Sequence, residues 1–312
     1  MTARYMARRI GQAVLVLFIT FTVAFFLLSA LPSDGVLARY AGPELGLSLQ
    51  EIEAIRDELG ADDPLIVQYL RSLGGFLTGN FGYSVQTGSS VAGMIAEALP
   101  GTLALAAAAF VLAVVIALVI AALAAIERAE WLTGAVRALP ALMVSFPSFW
   151  IGIILIQVIS FQLGWVPVIG ASSVQDLILP AVTLAVPVAA PLAQVLVRAV
   201  DEVRAEPFVQ ATRARGASPS WLFWRTVMRA ALLPAVTMAG LVFGELVGGA
   251  VVTEAVFGRH GLGRMTVDAV AYRDTPVLLA VVVISAAAYV TINLLVDLAY
   301  PVLDPRLRRK AN

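Results

Sequence analysis

The chain of 312 residues is 60% hydrophobic and only 13% charged, whereas soluble domains run nearer half apolar and a quarter charged, so a bilayer is its solvent. It holds no cysteine and a single histidine, His260; disulfides, thiolate nucleophiles, iron–sulfur clusters and histidine-rich metal sites are excluded. The formal net charge of zero hides a segregation along the chain that sets orientation.

A membrane-crossing helix needs about 20 consecutive apolar residues. In chain order, runs of that size predict six spans: 10–31, 101–126, 138–163, 177–197, 230–253 and 275–296. The first follows Arg4, Arg8 and Arg9 but is longer than the apolar stretch of a cleaved signal peptide, so it reads as an uncleaved anchor. Between the first and second spans, residues 32–100 look soluble. There Ser48 and Glu51 form a capping-box pattern that opens a short helix to about residue 58. Asp63-Pro64 opens a second, amphipathic helix carrying Leu65, Tyr69 and Leu73. This segment is either an ordered cap on the outer mouth or a docking face for an external partner. The third span is expected to be one helix. The fourth carries Pro180, Pro187 and Pro191, which predicts a kink tolerated because neighbouring helices satisfy the freed carbonyls.

With the N-terminus placed inside, 15 basic residues fall on the inner side and 6 on the outer. The positive-inside rule therefore puts both termini in the cytoplasm. Trp131, Trp165 and Tyr300 fall near span ends, where aromatic belts sit. The longest inner stretch, 198–229, joins spans four and five. A polar helix is expected over 203–214, broken at Gly216, a residue suited to positive φ. Ser218-Pro219 then supplies an N-cap and a first-turn proline for a second helix running toward the membrane.

In the fifth span, Glu245 is an intramembrane acid, and such a group defaults to function because its burial is costly. Gly240, Gly244 and Gly248 form overlapping G-x-x-x-G steps, expected to let helix backbones approach closely. Glu245 is then either packed in protonated or hydrogen-bonded form, or lines a substrate path together with Gly244 and Gly248. Gly258, Gly261 and Gly263 resemble a phosphate loop but lack its lysine, since Lys310 is the only one in the chain. They are expected to form a turn between the fifth and sixth spans. Asp297, at the inner end of the last span, is expected to pair with Arg306.

The stretch Phe208-Val209-Gln210-Ala211-Thr212-Arg213-Ala214-Arg215-Gly216, followed by Thr226-Val227-Met228-Arg229-Ala230-Ala231-Leu232-Leu233-Pro234, resembles the cytoplasmic EAA loop of ABC importer permeases of the dipeptide/oligopeptide branch. Further matching pieces are Asp63-Pro64, Gln68-Tyr69, Gly79-Asn80-Phe81-Gly82-Tyr83-Ser84, the stretch from Gly248 to Gly258, Arg273-Asp274-Thr275-Pro276 and Leu303-Asp304-Pro305-Arg306. They run in the family's order from end to end. The chain departs from the pattern at Pro32-Ser33-Asp34-Gly35, and at Gln210 and Thr212, where members usually carry arginine and alanine.

The resemblance implies an all-α integral membrane protein with six transmembrane helices and the type I ABC importer transmembrane fold, both termini cytoplasmic. It implies an N-terminal anchor over 1–31, an extracytoplasmic segment over 32–95, a transport core over 96–303 with the coupling loop at about 203–234, and a cytoplasmic tail over 304–312. The site residues it carries over are Phe208, Gln210, Ala211, Thr212, Arg213, Arg215, Gly216, Ser218, Pro219 and Trp221, as the contact to an ATPase. The implied partners are a second homologous permease, two cytoplasmic ATPase subunits or a fused pair, an external solute-binding protein and the bilayer, with no nucleic acid. ATP and magnesium would be used by the ATPases and no cofactor held by this chain, which would sit in a bacterial inner membrane and catalyse no reaction itself. The cargo of such permeases is a peptide or a related solute: glutathione, a nickel chelate, an opine or an oligosaccharide. The rival reading is an ion-coupled secondary transporter using Glu245 and Asp297 as proton carriers, which leaves the large inner loop without a purpose.

Overall fold

A computed structural model describes residues 3–30, 48–59, 63–125, 130–168 and 174–303. Their helices are α1 (Ala3–Ser29), α2 (Leu49–Leu59), α3 (Leu65–Thr78), α4 (Val91–Ala125), α5 (Glu130–Ser145), α6 (Ser148–Leu155), α7 (Gln175–Arg204), α8 (Pro207–Ala214), α9 (Pro219–Leu222), α10 (Met228–Phe257), α11 (Leu262–Ala271) and α12 (Thr275–Leu303). Wider π-helical turns extend α6 through Ile156–Gln162 and join α9 to α10 through Phe223–Val227. Among the described residues five helices are long and apolar enough to cross a membrane, and six if α5 with the extended α6 counts as one span. The chain divides into two compact units. One is built on Leu103–Phe257 and the segment from Ile292 onward, the other on Arg4–Thr102 and Gly258–Thr291.

The first unit is organised by side-chain size. Along α4, Ala106, Ala109, Ala113 and Ala117 recur every three or four residues and are buried, while Val111, Val115, Val119 and Leu123 recur every four residues and are exposed. The buried stripe shares one core with Ala181, Ala185, Ala189 and Ala193 of α7, and with Val242, Leu246 and Ala250 of α10. Lipid tails are as apolar as leucine, so burial alone gives helices in a bilayer no reason to associate. Close van der Waals approach does, and small residues permit it. From Ala106 to Leu123 of α4, alanine therefore supplies most of the buried stripe and bulkier aliphatics the exposed one.

Two expectations need correction here. The third span is not one helix: α5 and the extended α6 meet at 98° across Phe146 and Pro147. Proline disfavours helical geometry in the residue before it and brings no N–H of its own. Pro147 sits at ψ 137°, and its carbonyl starts the new helix by accepting from the N–H of Trp150 at 3.0 Å. The inner polar helix expected over 203–214 is also divided. Helix α7 runs on to Arg204, Glu206 turns extended at ψ 141° before Pro207, and α8 starts there. By contrast α7 stays helical through Pro180, Pro187 and Pro191.

The second unit holds the segment that looked soluble. Glu51 accepts from the backbone N–H and the hydroxyl of Ser48, each at 2.8 Å, and donates its own N–H to the Ser48 hydroxyl at 3.3 Å. The capping box is thus formed, and these bonds hold the Glu51 carboxyl below its usual range. Helix α3 packs on α1 through Tyr69 and Phe76 against Phe21 and Phe25. Asp274 is buried just ahead of α12, and its carboxylate accepts from the Ser84 hydroxyl and from the N–H groups of Val85 and Gln86, both at 3.2 Å. Two motif pieces that lie 190 residues apart are joined by this clamp. The glycines after α10 form more than a turn. Gly258 does turn, at φ +64°, but Gly261 then caps the ten-residue helix α11, whose Leu262 N–H donates to the Thr102 hydroxyl at 2.8 Å.

Candidate functional site: the inner loop between α7 and α10

Helix α8 has one apolar anchor. Val209 is buried, and it shares a core with Leu196 and Val200 of α7, with Leu222 of α9 and with Val227 and Met228 at the entry to α10. The same eight residues leave Phe208, Gln210, Ala211, Arg213 and Ala214 exposed. Thr212 is half-buried, and its hydroxyl donates to the Phe208 carbonyl at 2.8 Å, within the helix.

The break between the helices matches its chemistry. The N–H of Arg215 donates to Ala211 and that of Gly216 to Arg213, closing the last turn of α8. Gly216 stands at φ +87°, and a Cβ built there would meet nothing within 4 Å. Glycine is required by backbone conformation, not by crowding. Ser218 follows as N-cap, its hydroxyl accepting from the Trp221 N–H at 3.4 Å, with Pro219 in the first turn. Leu222 points into the core while Trp221 and Trp224 are about half exposed. Arg213 and Arg215 are exposed alongside them in sequence. Exposed aromatics with arginine are the residue types enriched at protein interfaces.

Two polar ties hold the helices that carry this loop. Arg137 of α5 makes a two-pronged bond to Asp201 of α7, at 2.7 and 2.9 Å. Arg204, at the end of α7, donates to the Ala125 carbonyl at the end of α4 at 2.8 Å. Neither tie was foreseen, because charge type alone does not reveal partners 64 and 79 residues apart.

The second set of expected site residues lies on α10. Thr237, Leu241, Gly248 and Val252 are exposed along one stripe, with Gly244 half-buried. Gly248 makes no close approach, having nothing within 4 Å of a built Cβ. The close approach falls one residue on, at Gly249, where a Cβ would stand 2.7 Å from the Leu184 side chain of α7. The face that the buried Val242, Leu246 and Ala250 turn to α7 decides which glycine is needed. The side chains of Glu245 and Asp297 lie outside the described residues, as does Arg306. Among the described side chains of this helix, the buried acid is Glu254, which lies one residue beyond the expected end of the span at Thr253.

In the other unit, Glu97, His260, Arg264, Asp268 and Tyr272 line a cavity of about 540 Å³ beside the Asp274 clamp. Arg264 there is engaged with Asp268, four residues on, at 3.1 Å.

Comparison with known proteins gives a uniform result. A family model described as "Binding-protein-dependent transport system inner membrane component" matches residues 117–309, and the N-terminal model of the same system matches residues 2–106. The glutathione transport system permease protein GsiC of Escherichia coli K12 is 37% identical over 306 residues, covering 98% of this chain and 99% of the relative. The GsiC protein of Shigella flexneri serotype 5b is similar to the same extent. Among solved structures, an inward-facing MetNI methionine ABC transporter superposes with a TM-score of 0.57 at 23% identity, covering 68% of this chain and 96% of that one. This last likeness concerns the fold.

Proposed function

Because the chain belongs to the family of binding-protein-dependent transport system inner membrane components and is a permease subunit of an ABC importer, we propose that α8 and α9 are the element through which ATP hydrolysis drives it. The observation that carries this reading is the division of labour in the loop. Val209 and Leu222 fix the two short helices to the transport core, while Phe208, Trp221 and Trp224 are left bare. An ATPase cleft that received the bare side would move the ends of α7 and α10 together, since the anchor belongs to both.

In this proposal both termini are cytoplasmic and the functional particle contains this chain, one related permease, two ATPase subunits and an external binding protein. ATP and magnesium reside on the ATPases, and this chain has no nucleotide site and holds no cofactor. The uncovered stripe of α10, including Gly244 and Gly248 and, by its position in the sequence, Glu245, faces the translocation path between the two permeases. Solute crosses by alternating access.

The cargo is a short peptide, with glutathione the first candidate because a relative similar over the full length bears that name. The test is uptake by proteoliposomes holding the complete complex, with the cognate binding protein and labelled substrate outside and ATP enclosed on the ATPase side. Labelled glutathione should accumulate only with both present, and excess unlabelled short peptide should reveal whether the range is wider. Accumulation of neither glutathione nor di- or tripeptides, with an active ATPase, would refute the peptide class.

A further inference from the structure

Helix α3 carries apolar side chains that the chain itself does not cover. It ends at Gly79, at φ +80°, so its 14 residues measure about 21 Å, too short to cross a hydrocarbon core of about 30 Å. Around its axis Tyr69, Leu73 and Phe76 face the protein. Adjacent to that face lies a second apolar sector, Ile66, Leu70 and Leu77, which is exposed, Leu77 by 81%. The rest of the circumference carries Gln68, Arg71 and Ser72, together with the exposed Leu65 and Val67. Gln68 and Arg71 are tied back to the entry turn: the Gln68 amide donates to the Asp63 carbonyl at 2.8 Å, and Arg71 pairs with the Asp63 carboxylate at 2.7 Å.

The depth of this helix follows from what it touches. Tyr69 packs on Phe21, Phe25 and Phe26 of α1, and its hydroxyl shares a hydrogen bond of 2.9 Å with Thr22. Thr22 lies seven residues inside the end of α1, about 10 Å along the axis. The next charged residue after Arg9 is Asp34, so this contact sits well within the uncharged span. Leu279 of α12, in the same cluster, lies four residues inside the start of that span, about 6 Å. Val23 and Leu27, on the surface of α1, are exposed apolar residues of a membrane-crossing helix. Phe26, which stacks on Tyr69, is itself 45% exposed, so uncovered apolar surface of α1 borders the contact with α3.

We propose that α3 is not a soluble cap but a helix seated in one leaflet of the bilayer, with Ile66, Leu70 and Leu77 among the acyl chains and Arg71 and Gln68 at the headgroup level. A helix with a wide apolar face and one polar edge is the kind that lies at this boundary. The occupant of the bare face is lipid. The inference rests on the membrane placement of α1 and α12; under the orientation proposed above, the leaflet is the outer one.

The chain has no cysteine, so single spin labels can be placed freely. Leu70→Cys and Leu77→Cys, each labelled in the full complex in lipid nanodiscs, are compared with Val23→Cys on α1 and Thr87→Cys in an exposed turn. Collision rates are read with molecular oxygen, which concentrates in lipid, and with a water-soluble nickel chelate. The labels at 70 and 77 should match the one at 23, with a high oxygen-to-nickel ratio, and the label at 87 should show the reverse. Nickel access at 70 and 77 equal to that at 87 would overturn the proposal by placing the face in water. Exclusion of both reagents would overturn it by showing a protein partner there. A reversed orientation would only move α3 to the other leaflet and leave the ratio high, so failure of the sidedness reading is distinguishable.

Discussion

Gly216 shows how one residue can carry a geometric requirement without a contact. At φ +87°, with open space where a Cβ would be, only its backbone freedom is used. A β-branched side chain at such an angle is strained by about 1–2 kcal/mol, and if that falls on the docked arrangement of α8 and α9 it corresponds to roughly tenfold. Gly216→Val is therefore expected to cut uptake and substrate-stimulated ATP hydrolysis by about that factor, with insertion and assembly unchanged. Gly216→Asn, a residue that tolerates the left-handed region, should retain most of both. Equal losses in the two variants would point to a lost contact rather than a lost angle. This glycine was legible in the sequence because its signal is local: glycine, then Ser218-Pro219. The partners of Arg137, Arg204 and Asp274 were not legible, since each lies 64 or more residues away and many other acceptors, or for Asp274 many other donors, would have served.

Helices were easier to foresee than their joints. Runs of uncharged residues located the spans, and the capping box at Ser48 located α2. The bend at Pro147 was missed because prolines do not all act alike in this chain. Pro180, Pro187 and Pro191 lie inside a helix packed along much of its length, and they leave it continuous. Pro147 instead stands at the N-cap of α6, at the 98° bend between two helices. The alanine stripes of α4 and α7 make a second prediction at this level. Ala113→Leu places bulk into a fully buried contact, and overpacking of this kind costs about 1–3 kcal/mol. Val115→Leu, two residues along but exposed, should be close to neutral. Thermal retention of the folded complex in detergent, followed by size-exclusion chromatography, should fall by several degrees for the first variant and not for the second. Equal stability would mean that the stripe is not the packing surface.

At the level of the assembled importer, the chain's segregation of charge and its anchored inner loop converge on one arrangement. Basic residues concentrate around α8 and α9, which the proposed orientation places on the ATPase side, and Trp165 follows the C-terminal end of the extended α6, which the same orientation places on the opposite side. A photo-activatable amino acid placed singly at Phe208, Trp221 or Trp165 in the complete complex separates the alternatives. Irradiation should join the chain covalently to an ATPase subunit from positions 208 and 221, with a yield that changes when ATP is added, and should give no ATPase adduct from position 165. No adduct from either 208 or 221, or an ATPase adduct from 165, would contradict both the coupling role of the loop and the orientation on which it depends.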